Sequence, residues 1–491
     1  MKKVDLVFIP GAGAGHLVPY IEFAKRLLDS DDYFSVTVLL MGSPFGPPPS
    51  AAHTKSLAES NTSIRFINVH KSFEKFMTEY IDCHRACVKE AIVKDVLSSS
   101  NSTPLAGLVV DFFCTTMIDV GNELGVPSYL FSPSSAVAVG LLLYLPTRHD
   151  RVGREIEEFD GDLVIPSYVN PVSSSAMPDV LLNKHGGYTT FMNHGKSFKE
   201  TNGIIVNTFE ELESHAVKSL KNDFDHMPPV YTVGPMIDLK SESDKLVLDV
   251  TERDKIMKWL DNQPDLSIMK WLDDQPDSSV VFLCFGSQGS FGEERVKEIA
   301  VGLEQSGVRF LWSLRKPPPK DKVERPSDYK TDNLQEASPN GFLEKTKDIG
   351  LVCGWVPQKE VLAHSSIGGF VSHCGWNSIL ESLWFGVPIV AWPLYAEQPL
   401  NAFQMVKNLG LAVELKVDYR IMNKAVVVAD EIARAIKCVM ESDNEVRKKV
   451  KEKSEKSRLA VMEGGSSYAA FGDLIDDILR NIAMEEAYSF S

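Results

Sequence analysis

The sequence predicts an α/β chain folded as two Rossmann-like domains, and three observations carry that prediction. The chain has 491 residues, more than one hydrophobic core organises, so it divides into two domains of about 200 to 250 residues each. Short apolar runs that end in glycine turns and lead into amphipathic segments recur along it, the mark of strand-turn-helix units with buried parallel strands. An acidic, polar run from Asp238 to Lys245 interrupts this alternation and reads as an interdomain linker.

The first strand, Val4-Asp5-Leu6-Val7-Phe8-Ile9-Pro10, opens into Gly11-Ala12-Gly13-Ala14-Gly15-His16 and an amphipathic helix through Phe23, Ala24, Leu27 and Leu28. This is not the usual dinucleotide fingerprint, because His16 occupies the place of its last glycine. Leu105 to Asp111 is a buried-strand run with a carboxylate at its carboxyl end, where open α/β sheets gather functional groups. Asp111 is therefore the natural partner of His16. A carboxylate bonded to one imidazole nitrogen fixes the tautomer and stabilises the imidazolium when the other nitrogen takes a proton. On these residues alone, a loop histidine and a helix-capping aspartate remain open readings. Strands at Ser128 to Phe131 and Gly203 to Thr208 follow, the latter ahead of a helix led by Glu210. Between them lie a leucine-rich helix, Ser132 to Tyr144, and an irregular, aromatic stretch, Pro166 to Phe198. Near the His16 loop these segments form an apolar pocket, with Phe112 and Phe113 as candidate walls or core residues.

Beyond the linker, the strand Val280 to Phe285 turns at Gly286-Ser287-Gln288-Gly289, where Ser287 is a candidate contact for a phosphate. A helix from about Glu293 to Ser306, a strand Val308 to Trp312 and a polar, mobile surface loop, Lys316 to Asn340, come next. The densest pattern runs from Trp355 to Gln398. Gly368 to His373 is an apolar run, Cys374-Gly375 a turn, and Trp376 to Phe385 a helix that closes at Gly386-Val387-Pro388. A helix N-terminus has unpaired N–H groups and a positive partial charge, so this turn seats a phosphate, with His373, Asn377 and Ser378 as added donors. Glu381, one turn beyond Asn377, suits the two hydroxyls of a ribose. Trp355 and Gln358 offer a ring and an amide to a planar base, and Glu397 beside Gln398 suits the vicinal hydroxyls of a sugar. Trp384, Phe385 and Trp392 read as core, His364 as structural and Cys374 as a turn residue rather than a nucleophile. Helices from Asp430 to Met462 precede a last helix, capped by Ser467 and reaching about Ala483.

Taken together, Trp355-Val356-Pro357-Gln358, His373-Cys374-Gly375-Trp376-Asn377-Ser378, Glu381 and Glu397-Gln398 resemble the signature box of plant family 1 UDP-sugar glycosyltransferases, the plant secondary product enzymes, most of all those that glucosylate flavonoids and triterpenes. Ser372 stands where threonine is commoner and Glu397 where aspartate is commoner, and neither change removes a functional group. The resemblance implies the GT-B arrangement, two facing Rossmann-like domains with the site in the cleft. It implies a nucleotide sugar on the C-terminal half and an acceptor on the N-terminal half. Trp355, with Val356 beside it, would hold uracil; Gln358 and Glu381 the ribose; His373, Asn377 and Ser378 the diphosphate; Trp376, Glu397 and Gln398 the sugar. Gln398 is similar to the residue of glucose-preferring members. The resemblance makes His16 the general base, assisted by Asp111, in an inverting transfer of glucose from UDP-glucose to a hydroxyl of a small apolar flavonoid, phenolic or terpenoid. UDP-glucose is then a co-substrate, and neither a metal nor another cofactor is expected. Other readings are a different UDP-sugar such as galactose or xylose, a sugar-nucleotide epimerase, and a sugar-nucleotide-binding protein without transferase activity.

Composition narrows the partners. A net charge of −16 argues against nucleic acid or an anionic membrane surface, and no apolar run reaches the roughly 18 to 20 residues of a membrane span. Seven scattered cysteines make neither a disulfide framework nor a zinc site, which points to a reducing, cytoplasmic setting. The short first strand does not read as a signal peptide, nor Met484 to Ser491 as an anchor, and a monomer is expected. The expected boundaries are 1–237 for the acceptor domain, 238–267 for the linker, 268–462 for the UDP-sugar domain, and 463–491 for a helix that crosses back. Within the linker, Ile256 to Asp265 recurs as Ile268 to Asp277. The second copy abuts the strand and reads as native; the first reads as an insertion that loops out near the hinge without adding chemistry.

Overall fold

The computed structural model describes residues 3–41, 51–69, 77–98, 103–182, 185–239, 268–319, 326–329, 338–415 and 427–489. Seven parallel strands form the first sheet: β1 (Val4–Ile9), β2 (Phe34–Leu40), β3 (Ile64–Asn68), β4 (Leu105–Asp111), β5 (Ser128–Ser132), β6 (Gly203–Val206) and β7 (Val230–Thr232), in the order β3-β2-β1-β4-β5-β6-β7. Six parallel strands form the second: β8 (Val280–Cys284), β9 (Arg309–Ser313), β10 (Gly350–Cys353), β11 (Ile367–Ser372), β12 (Ile389–Ala391) and β13 (Ala412–Glu414), in the order β10-β9-β8-β11-β12-β13. Each sheet reverses direction of growth between its first and fourth strands. β1 pairs with β4 from Leu6↔Gly107 to Ile9↔Val110, and β8 with β11 from Val281↔Gly369 to Cys284↔Ser372. Loops leaving the carboxyl ends of these pairs diverge to opposite faces and leave a crevice, the place where doubly wound sheets bind ligands. Two such Rossmann-like sheets make this a GT-B fold.

The strands form because their side chains are buried on both faces. In β1, Val7 and Ile9 pack into one core with Leu108 and Leu141, while Leu6 and Phe8 pack into another with Tyr20, Phe23 and Phe131. The helices that position the site are α1 (Ala14–Ser30), α2 (Ala136–Val152), α3 (Gly187–Ser197), α4 (Gln358–Ala363), α5 (Trp376–Phe385), α6 (Gln398–Phe403) and α7 (Ser466–Ser489). Apolar side chains cross between the halves: Leu400 and Phe403 of α6 join the first sheet's core, and Phe209 and Leu212 join the second's. Helix α7 returns to the first sheet, burying Phe471, Leu474 and Ile478 there, while Asn481 donates to the Tyr129 hydroxyl at 2.8 Å.

Several local expectations give way to tertiary contacts. The stretch expected to be irregular contains α3, packed on α2. The helix expected to begin at Glu210 starts at Ser214 instead, because the Glu213 carboxylate turns back to accept from the N–H groups of Ala136 (2.8 Å) and Val137 (3.2 Å) at the start of α2. Ser467 does not cap α7; its hydroxyl donates to the Gly234 carbonyl at 2.6 Å and ties the helix to the first domain. Trp392 is fully buried, but Trp384 is only half-buried, with the Arg458 guanidinium 5.8 Å from its ring centroid. In the expected mobile loop, Arg315–Lys316 pairs antiparallel with Ser327–Asp328, and the Arg315 guanidinium holds the Asp328 carboxylate at 2.9 Å. Residues 320–325 and 330–337 of that loop lie outside the described residues, as does 240–267, which contains most of the linker and the first copy of the repeat. The second copy forms the helix Ile268–Asp273, with Ile268 and Leu272 buried against Val280 and Phe282. His364 bridges Ser366 and Asp273, a packing role. Among the described residues, no helix is long and apolar enough to cross a membrane.

Candidate active site

His16 enters the site because α1 begins immediately after the glycine turn. Gly13, at a φ of 115°, occupies the N-cap, which puts His16 in the first helical turn at the carboxyl end of β1. Asp111 ends β4, the neighbouring strand. Its Oδ2 lies 2.8 Å from His16 Nδ1, while its Oδ1 accepts from the Phe113 N–H at 3.0 Å. A carboxylate only accepts, so the proton sits on Nδ1 and the lone pair on Nε2. The Phe112 and Phe113 rings stand 5.7 and 5.4 Å from the imidazole. Burial works against charging His16, yet the charge and hydrogen bond of Asp111, with a further contribution from Glu397, raise its pKa above the ordinary value. The fully buried Asp111 thus holds a one-fifth-exposed imidazole whose second nitrogen it does not engage.

This pair depends on a residue that sequence reading did not single out. A Cβ on Gly11 would stand 2.8 Å from Asp111 Oδ1 and 3.0 Å from His16 Nδ1. Its only advance signal was a glycine directly after a strand. Gly11→Ala is expected to push the two side chains apart, and the imidazole then loses the interactions that raise its pKa. An NMR titration of His16 should show its midpoint moving to lower pH; an unmoved midpoint would sink the argument.

Across the cleft, α5 follows β11 through a turn in which Cys374 takes a φ of 62°, a left-handed conformation uncommon for a residue with a side chain. The Asn401 amide donating to the Cys374 carbonyl at 3.1 Å and the Ser372 hydroxyl accepting from its N–H at 3.2 Å hold it there. Burial pushes the Cys374 thiol up to about 12, which suits a turn residue and not a nucleophile. Gly375 is the N-cap of α5 and supplies no side-chain partner, so the first N–H groups stay open. A Cβ there would stand 2.6 Å from His373 Nε2, and one on Gly286, in the turn after β8, 2.8 Å from the same atom. The imidazole is therefore seated between two glycines at the second switch point. Burial lowers the His373 pKa to about 4, so at neutral pH it is an uncharged donor or acceptor. Its Nδ1 is buried without a protein partner. Ser287, one residue past Gly286, is exposed.

The structure brings Gln358, Ser378 and Glu381 together: the Gln358 amide donates to Ser378 Oγ at 2.9 Å and to Glu381 Oε2 at 2.7 Å. Other expected contacts are already committed. The Trp376 ring is 3 % exposed and its indole N–H donates to the Asn207 carbonyl at 2.7 Å, so only its backbone remains for a ligand. Val356 is likewise buried in the second core. Gln398 uses its Oε1 to accept from the N–H groups of Leu394 and Tyr395, which leaves its amide nitrogen. Trp355 is half-buried, and its backbone N–H donates to the Asp328 carboxylate at 3.1 Å. Burial raises the pKa of Glu397 above its ordinary value, against smaller lowering by its own backbone N–H and by the charge of His16.

The halves meet at these groups. Asn377, in the first turn of α5, donates to the Gly15 carbonyl at 3.1 Å, one residue from His16. Lys359, next to Gln358, is buried with Asp238, 2.9 Å from its carbonyl and 3.0 Å from its carboxylate. Asn207, Asp328, Lys359 and Asn401 carried no sequence signal, because each acts on a distant backbone or carboxylate. Among the described residues no group of three or more His, Cys, Asp or Glu side chains is close enough to hold a metal ion.

A family model described as UDP-glucoronosyl and UDP-glucosyl transferase matches residues 261–454. UDP-glycosyltransferase 71K1 of Malus domestica is 51% identical, covering 98% of this chain and 99% of that protein. UDP-glucose flavonoid 3-O-glucosyltransferase 6 of Fragaria ananassa is 47% identical, covering 97% of this chain and 99% of that protein. Among solved structures, Medicago truncatula UGT71G1 complexed with UDP-glucose superposes with a TM-score of 0.83 at 43% identity, covering 97% of this chain and 98% of that one.

Proposed function

This chain belongs to the UDP-glucoronosyl and UDP-glucosyl transferase family and is a UDP-glycosyltransferase, and from that premise we propose that it transfers glucose from UDP-glucose to a hydroxyl of a small apolar phenolic or terpenoid acceptor, with inversion. The observation that carries the reading is the Asn377 to Gly15 contact, which sets the first turn of α5 against the loop of His16. A leaving diphosphate at the open N–H groups of α5 and an acceptor hydroxyl at His16 Nε2 are then on opposite sides of one sugar.

In this reading Nε2 removes the hydroxyl proton as the oxygen attacks the anomeric carbon, and Asp111 stabilises the imidazolium. Charge that develops on the diphosphate meets the α5 terminus, His373 and Ser378, all fixed before reaction. Gln358 and Glu381 take the ribose, Trp355 the uracil, and Glu397 with the Gln398 amide the glucose hydroxyls; Ser287 reaches the diphosphate from the β8 turn. UDP-glucose is the co-substrate, and the charge stabilisation assigned to these groups needs no metal. Both halves of the site come from one chain, which supports a monomer as the working unit. Seven free thiols support a cytoplasmic setting. A flavonoid glucosyltransferase among the similar proteins supports the acceptor class.

The test is mass spectrometry and UDP release with UDP-glucose, UDP-galactose and UDP-xylose against a panel of phenols and terpenoids. One added hexose, fastest with UDP-glucose and dependent on acceptor, is the expected result. Equal or faster transfer from another donor would overturn the glucose assignment.

A further inference from the structure

We propose that His194 is a polar subsite in the acceptor wall that hydrogen-bonds a second oxygen of a two-ring phenolic acceptor; this rests on the transfer reading and narrows its acceptor. Helix α3 presents Phe191 and His194 one turn apart. The Phe113 ring links them to the base: its centroid is 5.4 Å from His16, 5.6 Å from Phe191 in an edge-on contact, and 6.1 Å from His194. Phe112, 4.0 Å from Phe113, extends the same aromatic group. A flat, apolar acceptor held at His16 has this surface to lie on.

His194 is the polar member of that group. It is 7% exposed, its Nδ1 lies 2.7 Å from Thr115 Oγ1, and its Nε2 is buried without a protein partner. Burial lowers its pKa to about 4, against an opposing pull from Asp111, so it is neutral when the enzyme works. A threonine hydroxyl both donates and accepts, so Nε2 serves as acceptor for a phenol O–H or as donor to an oxygen. Buried polar atoms are nearly always paired, and an orphan is destabilising unless a ligand completes it. His16 takes the reacting hydroxyl; His194, in contact with the same Phe113 ring, takes the other oxygen. This is a positioning role, exerted on the substrate's orientation and not on the reacting atoms.

The experiment compares kcat/KM for para-phenylphenol and para,para′-biphenol, with UDP-glucose saturating, in wild type, His194→Phe and His194→Gln. The wild type is expected to favour the diphenol about tenfold beyond the statistical factor of two. His194→Phe should bring the two acceptors to within about twofold of each other through a larger loss at the diphenol, and His194→Gln should keep part of the preference. A preference that survives in His194→Phe, or a parallel fall for both acceptors, overturns the inference; the second result marks a purely structural histidine. Monophenol turnover without preference in the wild type removes this inference alone, whereas no transfer from UDP-glucose to either phenol or to any member of the phenol and terpenoid panel removes the proposed glucosyl transfer with it.

Discussion

Replacing His16 with alanine is expected to lower kcat for glucosyl transfer by about 10³-fold, the scale of a lost general base, while the Kd for UDP stays within about twofold. His16 bonds Asp111 and contacts Phe112 and Phe113, whereas the groups proposed to hold the nucleotide lie on α4, on α5 and in the turns beside the second sheet. Chemistry and donor binding should therefore separate in the measurement: initial rates with a saturating acceptor against titration calorimetry with UDP. A parallel loss of rate and UDP affinity would mean that His16 supports the cleft and is not the base. The pH profile adds an independent sign. As the proposed base, His16 works as neutral imidazole, and Asp111 and Glu397 raise its pKa above 6.5 against the effect of burial. Activity should thus rise with pH through a step placed above 6.5. Asp111→Asn removes the larger raising interaction and leaves burial, so the step should move to lower pH even as the maximum rate falls.

The second large effect is expected at Glu381. Its carboxylate accepts from Gln358 at 2.7 Å and stands one helical turn beyond the open end of α5. Hydrogen bonds to a charged group contribute about 1.5 to 3 kcal/mol each, and a ribose presents two hydroxyls. Glu381→Ala is accordingly expected to raise the KM for UDP-glucose by at least about 10²-fold and to weaken UDP to a similar degree. Because the ribose is remote from the bond being broken, kcat at saturating donor should change little. Glu381→Gln, which keeps the shape and loses the charge, should fall between. Steady-state kinetics with varied UDP-glucose would decide the matter, and an unchanged KM in Glu381→Ala would remove the ribose assignment.

These expectations draw on two kinds of information in the chain. Features with a local cause were legible along the chain. Apolar runs became buried parallel strands because each residue in them has a core on its own face, as Val7 and Phe8 do on opposite sides of β1. The glycine turn before Trp376 and the close at Gly386 marked α5, since helix ends need open donors at one end and a left-handed residue at the other. A histidine in the loop after one strand and an aspartate at the end of another were legible as partners, and the two side chains do meet at 2.8 Å. Strand order and the approach of distant surfaces settled the rest. His16 and Asp111 are 95 positions apart and meet because β1 and β4 are neighbours, with Gly11 leaving the space. Asn377 reaches Gly15 across 362 positions, and Trp376 gives its indole N–H to Asn207. Periodicity reports which face a residue turns, not which surface that face will meet. The same limit hid α3 within an aromatic stretch and, with it, the buried imidazole of His194.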